Sequence, residues 1–169
     1  MKIEVIIPVF NEVECLKQNL LTIQSKIENK QQTCITVVDG GSTDGSLESL
    51  VPGVKLLKSK KGRARQMNVG AHNSEADCLY FLHIDSDPPK SFDQNIRKAL
   101  EENHFVGCFQ MRFDLKHWLL NLSGYLTQFS GKAFRGGDQS LFISRQLFNE
   151  IGAYDESLTI LEDVDIVKR

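Results

Sequence analysis

Cys78-Leu79-Tyr80-Phe81-Leu82-His83-Ile84-Asp85-Ser86-Asp87 is a largely apolar run that breaks off into two carboxylates. Ile3–Val9, Cys34–Val38, Val54–Leu57, Phe105–Phe113 and Leu141–Ser144 are further β-rich runs, and segments of helical length lie between them. Near-continuous apolar strands separated by helices are what a parallel sheet covered on both faces requires. The expectation is therefore a layered α/β/α domain with a mostly parallel central sheet, one domain spanning residues 1–169. Ligands of such sheets sit beyond the carboxyl ends of the strands, which is where Asp85 and Asp87 emerge.

Composition narrows the functions. Twenty Lys and Arg stand against 22 Asp and Glu, a formal net charge of −2. No global field draws the chain onto nucleic acid or an anionic membrane, so any polyanion must be bound locally. The opening Met1-Lys2-Ile3-Glu4 leads into a run too short and interrupted for a signal peptide, and no run approaches the roughly 20 apolar residues of a membrane span. Cys15, Cys34, Cys78 and Cys108 form no CxxC pair, and three lie in strand-like runs. They read as buried free thiols in a reducing compartment, and the expected location is cytoplasmic.

Helix starts are marked by side chains that can cap them. Asn11 with Glu14, Ser91 with Gln94 and Thr159 with Glu162 have capping-box spacing, and Ser42 is placed to cap a helix after its loop. Trp118, Leu122, Tyr125, Leu126 and Phe129 share one helical stripe that reads as core-facing. Its polar face lacks the basic cluster of an interfacial helix, although peripheral contact with a membrane stays open.

Asp85 and Asp87 would raise each other's pKa unless a cation lay between them, and hard oxygen ligands suit Mn²⁺ or Mg²⁺. A DxD pattern is weak by itself, since Asp163-Val164-Asp165 repeats it, and a solvated turn is the plain reading. The loop Val38-Asp39-Gly40-Gly41-Ser42-Thr43-Asp44-Gly45 lets backbone approach a ligand but is neither GxGxxG nor Walker A. Lys58, Lys60, Lys61, Arg63 and Arg65 crowd around Gly62; if Gly62 opens a helix, its N–H groups and the guanidinium groups can hold a diphosphate. A solvated charged face is the alternative. Glu162 is explained by its cap, whereas Asp163 is not; at helical spacing Asp163 and Asp165 face nearly opposite ways, which leaves Asp163 as a lone general-base candidate. Asp138 and Gln139 precede a strand and offer polar groups to a substrate or merely a turn. His83 reads as a hydrogen-bonded core histidine.

In order, Pro8 with Asn11-Glu12, the Asp39 loop, Gly62-Arg63-Ala64-Arg65-Gln66-Met67-Asn68, Asp85-Ser86-Asp87, Gly137-Asp138-Gln139 and Glu162-Asp163 resemble glycosyltransferase family 2 with the Rossmann-like GT-A fold. The closest likeness is to its bacterial radical-SAM/selenodomain-associated branch. The resemblance implies an inverting transferase that uses a nucleotide-diphospho-sugar donor of UDP or GDP type, an unspecified acceptor hydroxyl and a divalent metal, Mn²⁺ or Mg²⁺. By position, Pro8, Glu12 and Asp39 would hold the nucleoside, Arg63 and Arg65 the base and diphosphate, and Asp85 the ribose and metal. Asp87 would hold the metal and diphosphate, Asp163 would take the acceptor proton, and Asp138, Gln139 and Glu162 would lie on the acceptor and sugar side.

Two departures from the family pattern stand out. Gly40 replaces a second aspartate that many relatives carry, and relatives continue past Glu162-Asp163 whereas this chain stops at Arg169. The resemblance thus implies that the usual C-terminal extension is missing, and a non-catalytic nucleotide-sugar-binding module is the alternative. Less favoured readings are a haloacid-dehalogenase-like phosphatase, whose motif is interrupted here by Pro89, and a Toprim-like nucleic-acid module, which lacks a basic groove.

Overall fold

A computed structural model describes residues 1–109, 140–158 and 162–169. Its strands are β1 (Ile3–Val9), β2 (Thr33–Asp39), β3 (Val54–Lys58), β4 (Cys78–Phe81), β5 (Val106–Gly107) and β6 (Leu141–Ser144). They form one sheet in the order β3-β2-β1-β4-β6-β5. β1 lies parallel to β2 and β4, and β3 parallel to β2, whereas β6 runs antiparallel to β4 and β5. The expected mostly parallel α/β sheet is present.

β1 shows why the sheet is covered on both faces. Ile3, Val5, Ile7 and Val9 point to one side, where they meet Leu16, Leu20 and Ile23 of α1 (Leu16–Ser25) and Ile96 and Leu100 of α3 (Phe92–Glu101). Ile6, with Leu79 and Phe81 of β4, points to the other. There it joins Ala64, Met67 and Ala71 of α2 (Arg63–His72), Phe148 of α4 (Arg145–Glu150) and Ile166 of α5 (Glu162–Lys168). Alternation with period two on a strand buried on both sides gives each face its own core.

Several local expectations are corrected. β4 ends at Phe81 and not at Ile84, because after Leu82 N–H donates to Ile6 O the chain turns, with Ser86 N–H donating to His83 O at 3.0 Å. Leu82, His83 and Ile84 remain buried, so their apolar character reports burial beyond the ladder. Of the Phe105–Phe113 run only Val106–Gly107 pairs among the described residues, and residues 110–113 lie outside them, as does the Trp118 stripe.

The caps are also different. Asn11 and Ser91 both adopt φ 57° and make no side-chain cap. Asn11 Oδ1 instead accepts from Thr43 N–H, and Ser91 Oγ donates to Glu28. Ser42 Oγ accepts from Asn11 N–H and caps nothing; a short 3₁₀ turn, Ser46–Ser49, follows its loop after Gly45. Thr159 lies outside the described residues. Only Cys78 is a buried thiol: Cys15 is half-buried, while Cys34 and Cys108 are exposed, and none of the four is in a disulfide.

α2 lies unusually close to the sheet at Gly70. A Cβ there would come within 2.5 Å of Ile6 Cγ2 and 3.2 Å of Val38 Cγ2. Alanine is the better helix former by about 1 kcal/mol, but overpacking a core costs roughly 1–3 kcal/mol. Gly70→Ala is expected to lower the urea midpoint, and an unchanged or raised midpoint would contradict this close approach.

Candidate functional site

The carboxyl ends of β1 and β4 and the start of α2 enclose an open cleft. Pro8 and Phe10 form one wall, Glu12 and Asp85 supply carboxylates, and Arg63 and Gln66 enter from α2. His83 lines the floor and is buried.

Hydrogen bonds between loops hold this rim in place. Glu12 N–H donates to Ser46 Oγ at 2.9 Å and Val13 N–H to Asp44 Oδ2 at 3.0 Å, which laces the chain after β1 onto the loop after β2. The Ser46 hydroxyl holds the Asp44 carboxyl below its ordinary range. Gln66 is the keystone. Its buried amide donates to Val9 O at 2.9 Å and Val38 O at 2.8 Å, and its Oε1 accepts from Gly62 N–H at 3.3 Å. One side chain therefore ties the ends of two strands to the first turn of α2.

The same amide accounts for Gly40. A Cβ at position 40 would stand 3.0 Å from Gln66 Oε1, so the space beside that loop is already filled. Gly62 opens α2 with φ 139°, a conformation that favours glycine, and so leaves the first N–H groups of α2 beside the cleft.

Pro8, Glu12, Arg63 and Asp85 are brought together in the cleft. Asp39 is not among the lining residues and is 2% exposed, and its carboxylate accepts from Gly41 N–H and Ser42 N–H at 3.0 Å each. Arg65 turns away: its Nε donates to Glu156 Oε2 at 3.0 Å, and this contact holds the Glu156 carboxyl below its ordinary range. Asp87 does not line the cleft, and its carboxylate is taken by Lys26. Asp138 and Gln139 lie outside the described residues. Glu162 and Asp163 fall in the first turn of α5, and Asp165 pairs with Arg169 at 2.8 Å.

Three residues that sequence reasoning passed over, Phe10, Glu156 and Lys26, belong to this region, as does Gln66, which was quoted in a motif without a role. Phe10 was hidden between the quoted Pro8 and Asn11, and Lys61 Nζ lies 3.9 Å from its ring centroid. Gln66, Glu156 and Lys26 act through partners far along the chain, which no local spacing encodes.

The carboxylates fit a hard divalent ion in kind. Asp85 is exposed at the cleft and makes no hydrogen bond or ion pair among the described residues. The neighbouring Cys15 thiol lies 3.6 Å from Glu12 Oε2 and is pushed up by burial and by the charges of Glu12 and Asp85, the mark of a negative pocket. Among the described residues no three metal-binding side chains converge. That is compatible with Mg²⁺ or Mn²⁺, which need only one or two protein carboxylates when phosphate and water complete the shell.

The family profile described as Glycosyl transferase family 2 matches residues 4–148. The chain belongs to this family. A curated relative, the undecaprenyl-phosphate 4-deoxy-4-formamido-L-arabinose transferase of Proteus mirabilis (strain HI4320), is 29% identical over 117 residues, 63% of this chain and 36% of that protein.

Among solved structures, S. aureus TarS 1-349 in complex with UDP-GlcNAc has a TM-score of 0.77 at 20% identity, covering 98% of this chain and 52% of that one. The mannosyltransferase PcManGT from Pyrobaculum calidifontis, in complex with GDP-Man and Mn²⁺, has a TM-score of 0.74 at 17% identity, covering 98% and 51%. The fold is the expected Rossmann-like GT-A arrangement. The family 2 chain spans about half the length of these structures and 36% of the curated relative. Family membership leaves the phosphatase and Toprim-like readings without support. No helix of the described residues is long and apolar enough to cross a membrane.

Proposed function

We propose that this chain moves a sugar from a nucleotide-diphospho-sugar of UDP or GDP type to an acceptor hydroxyl in the cytoplasm, with inversion at the anomeric carbon. The observation that carries this reading is the convergence of Glu12, Arg63 and Asp85 beside the first turn of α2 at the carboxyl ends of parallel strands. Pro8, Phe10 and Glu12 would receive the nucleoside. Arg63 and the first N–H groups of α2 would hold the diphosphate, by bidentate charge-assisted bonds and by the helix-terminus field.

Asp85 would reach the ribose and, with Asp87, hold Mn²⁺ or Mg²⁺. When bound, that ion supplies neutralisation of the charge that builds up on the departing diphosphate. Asp163 would accept the proton of the incoming hydroxyl on the far side of the sugar. Arg65, committed to Glu156, would support the site from behind and would not touch the donor.

The test is nucleotide binding by Asp85→Ala. In the presence of Mn²⁺ the variant is expected to bind UDP or GDP, whichever the native chain prefers, at least tenfold more weakly. That corresponds to a loss of about 1.4 kcal/mol or more. Unchanged affinity would remove Asp85 from the donor site and with it the main support for this function.

A further inference from the structure

Lys26 follows the last residue of α1 and reaches the turn that carries the two acidic residues. Its Nζ donates to the Asp87 carboxylate and, at 2.7 Å, to Pro88 O. Its backbone oxygen accepts from Ser91 N–H at 2.9 Å, so both ends of the residue are fixed to residues 87–91. The Lys26 side chain is 21% exposed against 70% for Asp87. The ammonium is therefore held against its neighbours while the carboxylate keeps one side open to solvent.

We propose that Lys26 is an internal counter-ion that competes with the divalent metal for Asp87. The inference rests on the reading of Asp87 as a metal ligand. The ammonium donates to one Asp87 oxygen, Oδ1, and so takes lone-pair density that a metal would otherwise share. A divalent ion at the same carboxylate is also repelled by the cation already there. Lys26 keeps the turn ordered and its charge balanced without metal, and it weakens metal binding in return.

Lys26 is thus a positioning residue, and its signature is a gain of metal affinity on removal. Mn²⁺ alone, followed by electron paramagnetic resonance of the free ion, is the probe, applied to the full chain as wild type, Lys26→Met, Lys26→Gln and Asp87→Asn. Removing the competitor is expected to tighten Mn²⁺ binding roughly two- to tenfold in either Lys26 variant, in line with the modest worth of partly exposed ion pairs. Asp87→Asn is expected to weaken it. The glutamine variant keeps a polar end and decides the matter if the methionine variant does not fold.

Equal or weaker Mn²⁺ binding in the folded Lys26 variants, alongside the loss in Asp87→Asn, would overturn the counter-ion role and leave the metal site standing. Wild-type Mn²⁺ binding in Asp87→Asn would overturn the metal reading itself, and the inference with it.

Discussion

Asp93→Ala is expected to cost roughly 3–5 kcal/mol of folding stability, because it removes the buried partner of a half-buried guanidinium and leaves several donors unpaired at once. Asp93 is 0% exposed, yet its carboxylate accepts from Glu28 N–H at 3.0 Å, Asn29 N–H at 2.9 Å, Thr33 Oγ1 at 3.3 Å and Arg97 Nη1 at 2.7 Å. Arg97 then reaches Met1 O at 3.2 Å, Gln32 O at 3.1 Å and Thr33 Oγ1 at 2.8 Å. One carboxylate on α3 thereby fastens the connection between α1 and β2 and the approach to β1. A domain of this size is stable by about 5–15 kcal/mol, so the loss is a large share of the total. Urea denaturation should show it directly, and a change below about 1 kcal/mol would contradict the role given to this network.

The same residue sets a pH dependence. Burial alone would raise Asp93, but the N–H groups of Glu28 and Asn29 and the Arg97 guanidinium together hold its carboxyl below the ordinary range. A depressed folded-state pKa contributes stability above the unfolded value of about 3.9, and loses it as pH falls through the folded value. The native chain should therefore lose stability more steeply below about pH 4 than Asp93→Ala does. Parallel acid limbs for the two proteins would show that Asp93 does not carry this term.

The second large effect is on turnover. Asp163→Asn is expected to slow release of the nucleotide diphosphate from its sugar donor by roughly 10²- to 10⁴-fold, the usual worth of a positioned general base. Affinity for the nucleotide diphosphate should stay within about twofold, because the described residues that line the cleft come from β1 and the loop after it, α2 and the turn after β4. Calorimetry for binding and phosphate-coupled detection for release separate the two. Undiminished release would remove Asp163 from the chemistry, and lost binding would place it on the donor instead.

Much of this was written locally in the chain. The apolar runs at Ile3–Val9 and Leu141–Ser144 give strands with the same limits. Pro8, Glu12, Arg63 and Asp85 are found at one cleft because each sits where a strand ends or a helix begins, and in a parallel sheet those ends coincide in space. What was not legible depends on partners distant in sequence. Gln66 works only because Val9, Val38 and Gly62 present three backbone groups to one amide. Arg65 was read with Arg63, but two residues along a helix rotate the direction by about 200°, and Glu156 captures Arg65.

Asn11 and Ser91 carried the spacing of caps and make none. A left-handed backbone at each residue aims the side chain at another loop, and spacing does not encode φ. The cysteines erred for a related reason. Membership of an apolar run does not say which face a side chain takes, and in β2 the alternation leaves Cys34 exposed between buried Thr33 and Ile35.

The central claim is that the cleft between β1, β4 and α2 holds a nucleotide diphosphate with a divalent ion. Its most direct test is calorimetric titration of UDP and of GDP into the native chain, with Mn²⁺ and then with EDTA. Saturable binding of one nucleotide that weakens on chelation is the expected result. No binding of either nucleotide with Mn²⁺ present would contradict the claim.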